Sequence, residues 1–381
     1  MRAPARPPRR GRRLAGSHPL GALPRRSPPD RARAAGRGGA VRGELVDEGP
    51  PARPQDTPRA RHGRPRTDGG RRPARASLPL TSSSPSGRPA LRAFAHDLYT
   101  YPLPQGHRFP LGKYRLVREG AARLPGVSVH EAPRATWREL RGAHELTYLA
   151  RVRRGDLARR EVLALGLPWS ERLVERARRA VGATHEAARA ALEDGVAANL
   201  GGGTHHAFAD AGRGFCVFND VVTVRQALRP RVRRVLVVDL DVHQGDGTHA
   251  LLADDPDAFT FAINGFRNYP FKRVPGDLEL DLPDGTEDER YLDGLSRLLP
   301  RAIARARPEL CFYLAGADPY AGDRLGRLAL TSAGLAARDR LVRDGLRAAG
   351  VPVCVTLAGG YAEPIEDTVA INLETVRTFS E

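Results

Sequence analysis

The chain has 381 residues, with 61 Lys and Arg against 44 Asp and Glu, and its formal net charge is +17. Its three cysteines form no CxxC pair, and it has no apolar run of about 18 residues, the length that a membrane span needs. These features argue against a disulfide framework, a cysteine-built zinc finger and a membrane-spanning helix. The first residues also lack the apolar run of a signal peptide, so we expect a cytoplasmic protein.

Residues 1–90 differ in composition from the rest of the chain. They hold 21 Arg, no Lys and 6 acidic residues, a net charge of +15, whereas 91–381 carry 40 basic and 38 acidic side chains. A segment rich in Arg and Pro buries little apolar area, so we predict a disordered basic tail over 1–90 and a catalytic domain over 91–381. Three interpretations of the tail are open: an arm that binds nucleic acid or a partner, a dispensable or upstream-translated extension, and a transit peptide. Its prolines argue against the transit peptide, which needs an amphipathic helix.

The domain alternates helical and strand-like segments. Apolar residues three to four apart predict a helix over 171–198, and further helices are predicted over 288–305 and 333–349. Strands that alternate with helices indicate an α/β fold of three layers, with a central, mostly parallel sheet flanked by helices. Three short apolar runs predict strands buried on both faces: Val235–Asp241, Leu310–Asp318 and Val351–Leu357.

Polar residues follow these apolar runs and one further segment. The carboxyl ends of parallel strands lie at one edge of the sheet, where ligands bind, so we expect these side chains to converge whatever the strand order. The clusters are His205 and His206 in 199–207, Asp239, Asp241, His243 and Asp246 in 235–247, Asp318 in 315–319, and Tyr361 in 357–361.

Three of these residues form a candidate metal site. Asp239, Asp241 and His243 are spaced two apart, and residues two apart face the same side of an extended chain. Carboxylates that face one another repel unless a cation neutralises them. With Asp318 as the third ligand beside Asp241 and His243, the nitrogen and oxygen donors suit a divalent metal with an open position, as in catalytic zinc sites. Helix capping is the alternative role for any single Asp at a strand end.

The adjacent His205 and His206 are candidates for general acid and base. A histidine in that role needs a carboxylate to set its tautomer and pKa, and Asp239 and Asp246 remain for this purpose, one for each ring. Tyr361 follows two glycines, and we expect its hydroxyl to stabilise an oxyanion opposite the metal. A surface tyrosine without function is the alternative.

Taken together, the motifs resemble the zinc-dependent histone deacetylase superfamily, which includes bacterial acetoin-utilisation proteins and acetylpolyamine amidohydrolases. The resemblance runs from about Phe94 to the end of the chain. His-Gln-Gly at 243–245, the GGGxHHA form at 201–207 and the segment 285–292 are most similar to the class IV branch and its bacterial relatives. The motifs that carry the resemblance are 201–207, 214–220, 239–247, 316–319, 322–328 and 358–361.

The resemblance implies an arginase/deacetylase-type fold and a zinc site, with Fe²⁺ as the alternative metal. It implies Asp241, His243 and Asp318 as zinc ligands, the pairs His205–Asp239 and His206–Asp246, and Tyr361 as the residue that polarises the acyl carbonyl.

The resemblance also implies a structural K⁺ site and a tunnel for an acyl-lysine chain. Ala262 stands where many relatives have a serine beside the potassium, although a backbone carbonyl can be the ligand. Gly214 and Phe215 would line the tunnel, and the opposite wall over 264–271 departs from the class I pattern. No acidic residue that would clamp the substrate is identified on the first loop.

We therefore predict a metal-dependent deacetylase or deacylase that hydrolyses N-acetyl-lysine or a similar amide to a free amine and a carboxylate, with His206 as the base. The expected partner is an acyl-lysine protein or a small acylated amine, with nucleic acid bound only through the tail. One alternative is an amidohydrolase for acetylpolyamines or other small molecules. Another is a two-metal ureohydrolase, but residues 316–321 do not match the DxD motif of those enzymes. A third is a catalytically silent binding protein, but the intact site argues against it.

Overall fold

One parallel sheet organises the residues described by the computed structural model, 91–381; the predicted tail over 1–90 lies outside them. The strands of this part are Leu91–Ala95 (β1), Val127–Glu131 (β2), Val196–Asn199 (β3), Val235–Asp239 (β4), Ala258–Gly265 (β5), Leu278–Leu282 (β6), Leu310–Leu314 (β7) and Val353–Thr356 (β8). Their order is β2-β1-β3-β8-β7-β4-β5-β6, and all neighbours are parallel.

Helices connect the strands and cover both faces of the sheet, which confirms the predicted three-layer α/β fold. None of the helices within 91–381 is long and apolar enough to cross a membrane. Besides a short 3₁₀ turn at Asp97–Tyr99, the helices are Gly112–Ala121 (α1), Trp137–Leu140 (α2), Leu146–Arg154 (α3), Arg159–Leu165 (α4), Glu171–Asp194 (α5), Asp220–Leu228 (α6), Asp246–Leu252 (α7), Asp288–Ala306 (α8), Ser332–Ala348 (α9) and Ile365–Ser380 (α10).

The central strands are buried on both faces because each side of the sheet has its own apolar core. In β4, Val235 and Val237 belong to the core that includes α5 and α6. Leu236 and Val238 belong to the opposite core, which includes α8, α9 and α10. Alternating residues of one strand therefore anchor it between two helical layers, as the continuous apolar runs predict.

The predicted helix over 171–198 is wrong at its last residues. The helix α5 begins after Ser170, whose hydroxyl accepts the Leu173 N–H, and it ends at Gly195, which has a left-handed φ of 87°. Val196 then begins β3, which pairs with β1 and β8. Pairing with two neighbouring strands outweighs the local helical pattern, because intrinsic helix preference is a weak bias.

The predicted strands also end earlier than their apolar runs. The strand β4 stops at Asp239, so the alternation expected to continue through Asp241 and His243 does not set their directions. Likewise, β7 ends at Leu314 and β8 at Thr356. The polar residues that follow therefore lie in loops above the sheet edge, where hydrogen bonds rather than strand geometry orient them.

Gly182 of α5 provides a test of how closely this helix packs. A Cβ at this position would lie 2.0 Å from the carbonyl oxygen of Pro133. In a helix interior, alanine normally stabilises the fold by about 1 kcal/mol relative to glycine. Overpacking of this kind, however, costs about 1–3 kcal/mol. We predict that Gly182→Ala lowers the free energy of unfolding, measured by urea denaturation.

Gly112→Ala in α1 is the matched control, because its Cβ would meet only Ile365 Cδ1, at 3.7 Å. The control should be as stable as the wild type or slightly more stable. A more stable Gly182→Ala variant would contradict the close contact between α5 and the segment at Pro133.

Candidate functional site

The candidate site lies where four neighbouring strands end. The strands β3, β8, β7 and β4 are adjacent in the sheet, and the loop after each of them holds predicted site residues. The expected convergence of the polar clusters is therefore present. His205 and His206 follow β3, Tyr361 follows β8, Asp318 follows β7, and Asp241 and His243 follow β4.

Asp241, His243 and Asp318 come together as a buried group. Their candidate ligand atoms lie within 4.8 Å of one another, and each side chain belongs to the interior. Nδ1 of His243 is 2.9 Å from Oδ1 of Asp241 and 3.1 Å from Oδ2 of Asp318. Two carboxylates that face one imidazole nitrogen form a donor set that fits a divalent cation such as zinc.

Backbone amides orient the two carboxylates. The N–H of Gly359 donates to Oδ2 of Asp241 at 2.7 Å, and the N–H of Val242 donates to Oδ1 of Asp318 at 2.9 Å. A Cβ at position 359 would lie only 1.9 Å from Oδ2 of Asp318. Glycine is therefore required at 359, since any side chain there would displace a candidate ligand.

The charges of this group depend on one another. Burial raises the pKa of Asp318, and the neighbouring Asp241 adds to the effect, giving a value of about 7. Burial opposes ionisation of Asp241 as well, but His205 and His243 outweigh it and hold its pKa well below the usual range. Burial likewise opposes the charge on His243, yet hydrogen bonds to both carboxylates raise its pKa to about 10. A bound cation would neutralise the two neighbouring carboxylates and so stabilise this group.

The two histidines lie side by side, with ring centroids 4.1 Å apart. Nδ1 of His205 is 2.7 Å from Oδ2 of Asp239, and Nδ1 of His206 is 2.7 Å from Oδ1 of Asp246. In each pair the Nδ1–H donates and the carboxylate oxygen accepts. The expected pairs are formed, and Nε2 of a neutral ring is the atom left to accept a proton.

The surroundings of the two rings push their pKa values apart. For His205, burial opposes the charge, but attraction to Asp239 and Asp241 outweighs burial and raises the pKa to about 9. For His206, burial and the neighbouring His205 together lower the pKa to about 4, despite Asp246. At neutral pH the pair therefore combines one cationic and one neutral imidazole.

Tyr361 faces the candidate metal group from the loop after β8. Its ring centroid is 6.3 Å from that of His243, with the ring planes at 85°. Burial raises the pKa of its phenol well above the usual value, so the hydroxyl remains a donor. Its backbone N–H donates to Oδ2 of Asp323 at 2.6 Å, which fixes the turn that carries the ring.

Lys113 of α1 belongs to the site, although sequence reasoning does not single it out. Its side chain is buried, and Nζ donates to the carbonyl oxygens of Gly360 at 3.1 Å and Ala358 at 3.4 Å. Nζ also lies 5.3 Å from the ring centroid of Tyr361. The signal that could have found it is its rarity, because only two of the 61 basic residues are lysines.

A cleft of about 790 Å³ leads from the surface to the candidate metal group, where His206, His243 and Tyr361 line it. Gly214 and Phe215 line it, and so does Tyr269, which lies after β5 within the segment 264–271. Phe215 has a positive φ of 69°, a costly conformation for a residue with a side chain, and its N–H donates to Leu165 O at 2.7 Å. The tunnel walls expected from the sequence thus lie at one opening.

Known proteins are similar to this chain over most of the residues 91–381. A family model for the histone deacetylase domain matches residues 107–375. An uncharacterised protein of Picosynechococcus is 42% identical over 281 residues, which are 72% of this chain and 93% of that protein.

More distant relatives have names that state a function. Histone deacetylase 2 of Arabidopsis thaliana is 36% identical over 204 residues, and a histone deacetylase-like amidohydrolase of Pseudomonas aeruginosa is 32% identical over 173 residues. These matches span 53% and 46% of the two relatives, and 52% and 42% of this chain.

A solved structure shares the fold. The crystal structure of an HDAC homologue in complex with SAHA matches with a TM-score of 0.65 and 21% identity, over 76% of this chain and 84% of that one.

Removal of the imidazole from the candidate metal group should weaken metal binding. We predict that His243→Ala lowers the zinc affinity by at least about 100-fold, because even residues that only support ligands contribute about 10- to 100-fold. Competition with a chromophoric chelator measures the affinity, and zinc should raise the melting temperature of the wild type but not of His243→Ala.

His185→Ala is the control, since His185 lies on α5 and pairs with Glu139 at 3.2 Å, away from the cluster. It should bind zinc like the wild type. Equal zinc affinity of His243→Ala and the wild type would remove His243 from the candidate ligands.

Proposed function

Because the chain belongs to the histone deacetylase family, we propose that it is a metal-dependent deacylase that hydrolyses N-acetyl-lysine or a similar acyl-amide to a free amine and a carboxylate. One observation carries the proposal: the buried carboxylates of Asp241 and Asp318 share a single imidazole nitrogen at the inner end of the cleft. Two His–Asp pairs and a tyrosine lie around this group. Together these residues provide metal ligands, a general base and acid, and an oxyanion donor, which are the groups that amide hydrolysis needs.

Asp241, His243 and Asp318 would hold the metal, with zinc as the proposed ion and Fe²⁺ as the alternative. When bound, a divalent ion supplies Lewis-acid chemistry, which polarises the acyl carbonyl and makes water more acidic. Three protein ligands leave a position open for substrate, unlike the closed four-ligand sites of structural zinc.

His206 is the proposed general base. It lines the cleft, whereas His205 does not and lines only a smaller cavity that His206 also borders. Its Nδ1 proton is held by Asp246, and its low pKa leaves Nε2 free to take a proton from the attacking water. The imidazolium formed in this way can return the proton to the leaving amine.

Tyr361 is the proposed oxyanion donor. Its hydroxyl stays protonated because burial raises its pKa, and the ring borders the same cleft as His206 and His243. A donor fixed in a buried site stabilises the charge that develops on the acyl oxygen without a reorganisation step.

The family's structural K⁺ remains a proposal. Ala262 lies on β5 in register with Asp239 and contributes only a methyl group, so backbone carbonyls would be the ligands there.

A two-metal ureohydrolase is less well supported. Within residues 91–381, one group of three candidate metal ligands is found, and the position two after Asp318 is Tyr320. The hydroxyl of Tyr320 is 3.4 Å from Oδ2 of Asp367 on α10. A tyrosine at this position does not supply the second carboxylate that a DxD motif would place beside Asp318.

The test of the proposed function is a panel of acetyl-lysine peptides, longer acyl-lysine peptides and acetylpolyamines, assayed with protein of measured metal content. We expect equal amounts of carboxylate and free amine from at least one class, and no product after chelation. Failure of the metal-loaded protein to hydrolyse any of them would contradict the proposal.

Tyr361→Phe should separate catalysis from metal binding. Loss of one oxyanion donor costs about 100- to 1000-fold in kcat, while the candidate ligands stay intact, so we predict severely reduced turnover with unchanged zinc content. Tyr320→Phe is the control and should keep full activity, since Tyr320 does not line the cleft. Undiminished hydrolysis by Tyr361→Phe would exclude Tyr361 as the donor.

Lys113→Met should reduce turnover because it lets Tyr361 move, and not because Lys113 itself contacts the substrate. Without the ammonium, the carbonyls of Ala358 and Gly360 lose their donor, and a small displacement of Tyr361 is expected to cost about 10- to 100-fold in kcat. Lys113→Arg keeps a buried cation and should restore much of the rate. Equal defects in both variants, with reduced melting temperatures, would indicate a purely structural role.

A further inference from the structure

The mouth of the cleft is positively charged and has no acidic wall. Of the twenty described residues that line the cleft, four are arginines and none is Asp or Glu: Arg108, Arg267, Arg324 and Arg327. Residues 91–381 contain almost equal numbers of basic and acidic side chains, 40 and 38. The excess of cations is therefore a local property of the mouth and does not follow from the composition of the domain.

These arginines come from three separate loops. Arg108 lies between Asp97–Tyr99 and α1, Arg267 lies between β5 and β6, and the other two lie between β7 and α9. The fold therefore brings arginines from three separate parts of the chain to one cleft.

Internal ion pairs neutralise only part of this charge. Asp284 is shared by Arg267 at 3.7 Å and Arg327 at 3.5 Å. Arg324 pairs with Glu363 at 2.7 Å, and neither carboxylate lines the cleft.

Arg108 is exposed, and within 91–381 no carboxylate forms an ion pair with it. Three of the four arginines therefore pair with two carboxylates and Arg108 pairs with none within 91–381, which leaves positive charge to attract an anion.

Exposed apolar side chains lie at the same opening. Phe271 is 91% exposed and Leu163 is 71% exposed, and both line the cleft. Large exposed apolar side chains beside the arginines provide contact area for a chain laid across the mouth, rather than for a small polar molecule that enters alone.

From this charge pattern we propose that the enzyme acts on acyl-lysine peptides with acidic residues beside the acyl-lysine, and that it discriminates against acetylated polyamines. The inference rests on the proposed function. The acyl-amide itself is uncharged and enters the cleft, so selection falls on the groups left outside. A carboxylate there would meet the guanidinium of Arg108, which has no ion pair within 91–381, whereas the remaining ammonium groups of an acetylpolyamine would be repelled.

The test compares three acetyl-lysine peptides that differ only at the two flanking positions, which are Glu, Gln or Lys, together with acetylspermidine. With metal-loaded full-length protein at low salt, we expect kcat/KM to fall from Glu to Gln to Lys by about tenfold in total, as for two exposed ion pairs. The difference should nearly vanish near 1 M salt, where the screening length is about 3 Å. Acetylspermidine should react more slowly than the Lys peptide.

Variants assign the preference to the mouth, because the basic segment 1–90 could also attract acidic peptides. Arg108→Gln and Arg327→Gln should each reduce the ratio of kcat/KM between the Glu and Lys peptides about two- to threefold. Arg301→Gln, on the exposed side of α8, should leave it unchanged. A ratio that neither mouth variant changes, or a preference for the Lys peptide or acetylspermidine, would overturn the inference.

Binding of the same peptides, followed by fluorescence anisotropy, separates this inference from the proposed function. If no peptide is hydrolysed but the Glu peptide binds more tightly and loses this advantage in Arg108→Gln, the charge preference stands and the proposed activity fails. If all peptides are hydrolysed at equal rates and bind equally, the activity stands and the preference fails.

Discussion

Two carboxylates buried next to each other at the edge of the sheet, Asp241 and Asp318, are the constraint around which the site is arranged. Burial of even one charged group costs several kcal/mol unless it is paired and hydrogen-bonded. Here the backbone N–H groups of Gly359 and Val242 and the imidazole of His243 offset that cost. Because these donors come from loops after different strands, the arrangement exists only when β4, β7 and β8 lie side by side.

The same buried charge gives two adjacent histidines different properties. His205 and His206 each hold a carboxylate at 2.7 Å, so their immediate partners do not distinguish them. However, Nε2 of His205 also lies 4.0 Å from Asp241, whereas His206 borders the cleft and stands beside the cationic His205. One ring is therefore charged and the other neutral, which is the combination that an acid and base pair needs.

The sequence allows much of this site to be predicted because its residues follow apolar runs directly. Parallel strands end at one edge, so His205, Asp241 and Asp318 could be expected together without knowledge of the strand order. The end of α5 at Gly195 could not, since the helical pattern continues into a segment that pairs as β3.

Features that depend on contacts between distant parts of the chain also escaped prediction. Lys113 and Gly360 are separated by 247 positions, and no local pattern connects them. The arginines of the mouth are a similar case, because Arg108 and Arg327 belong to loops that meet only in the folded domain.

The most direct test of the account is a titration of metal-free protein with zinc, in which hydrolysis of an acetyl-lysine peptide is measured after each addition. The single group formed by Asp241, His243 and Asp318 predicts a rate that rises linearly to one zinc ion per chain and then stays constant. A rate that continues to rise to two ions per chain, or that is the same without metal, would contradict the account.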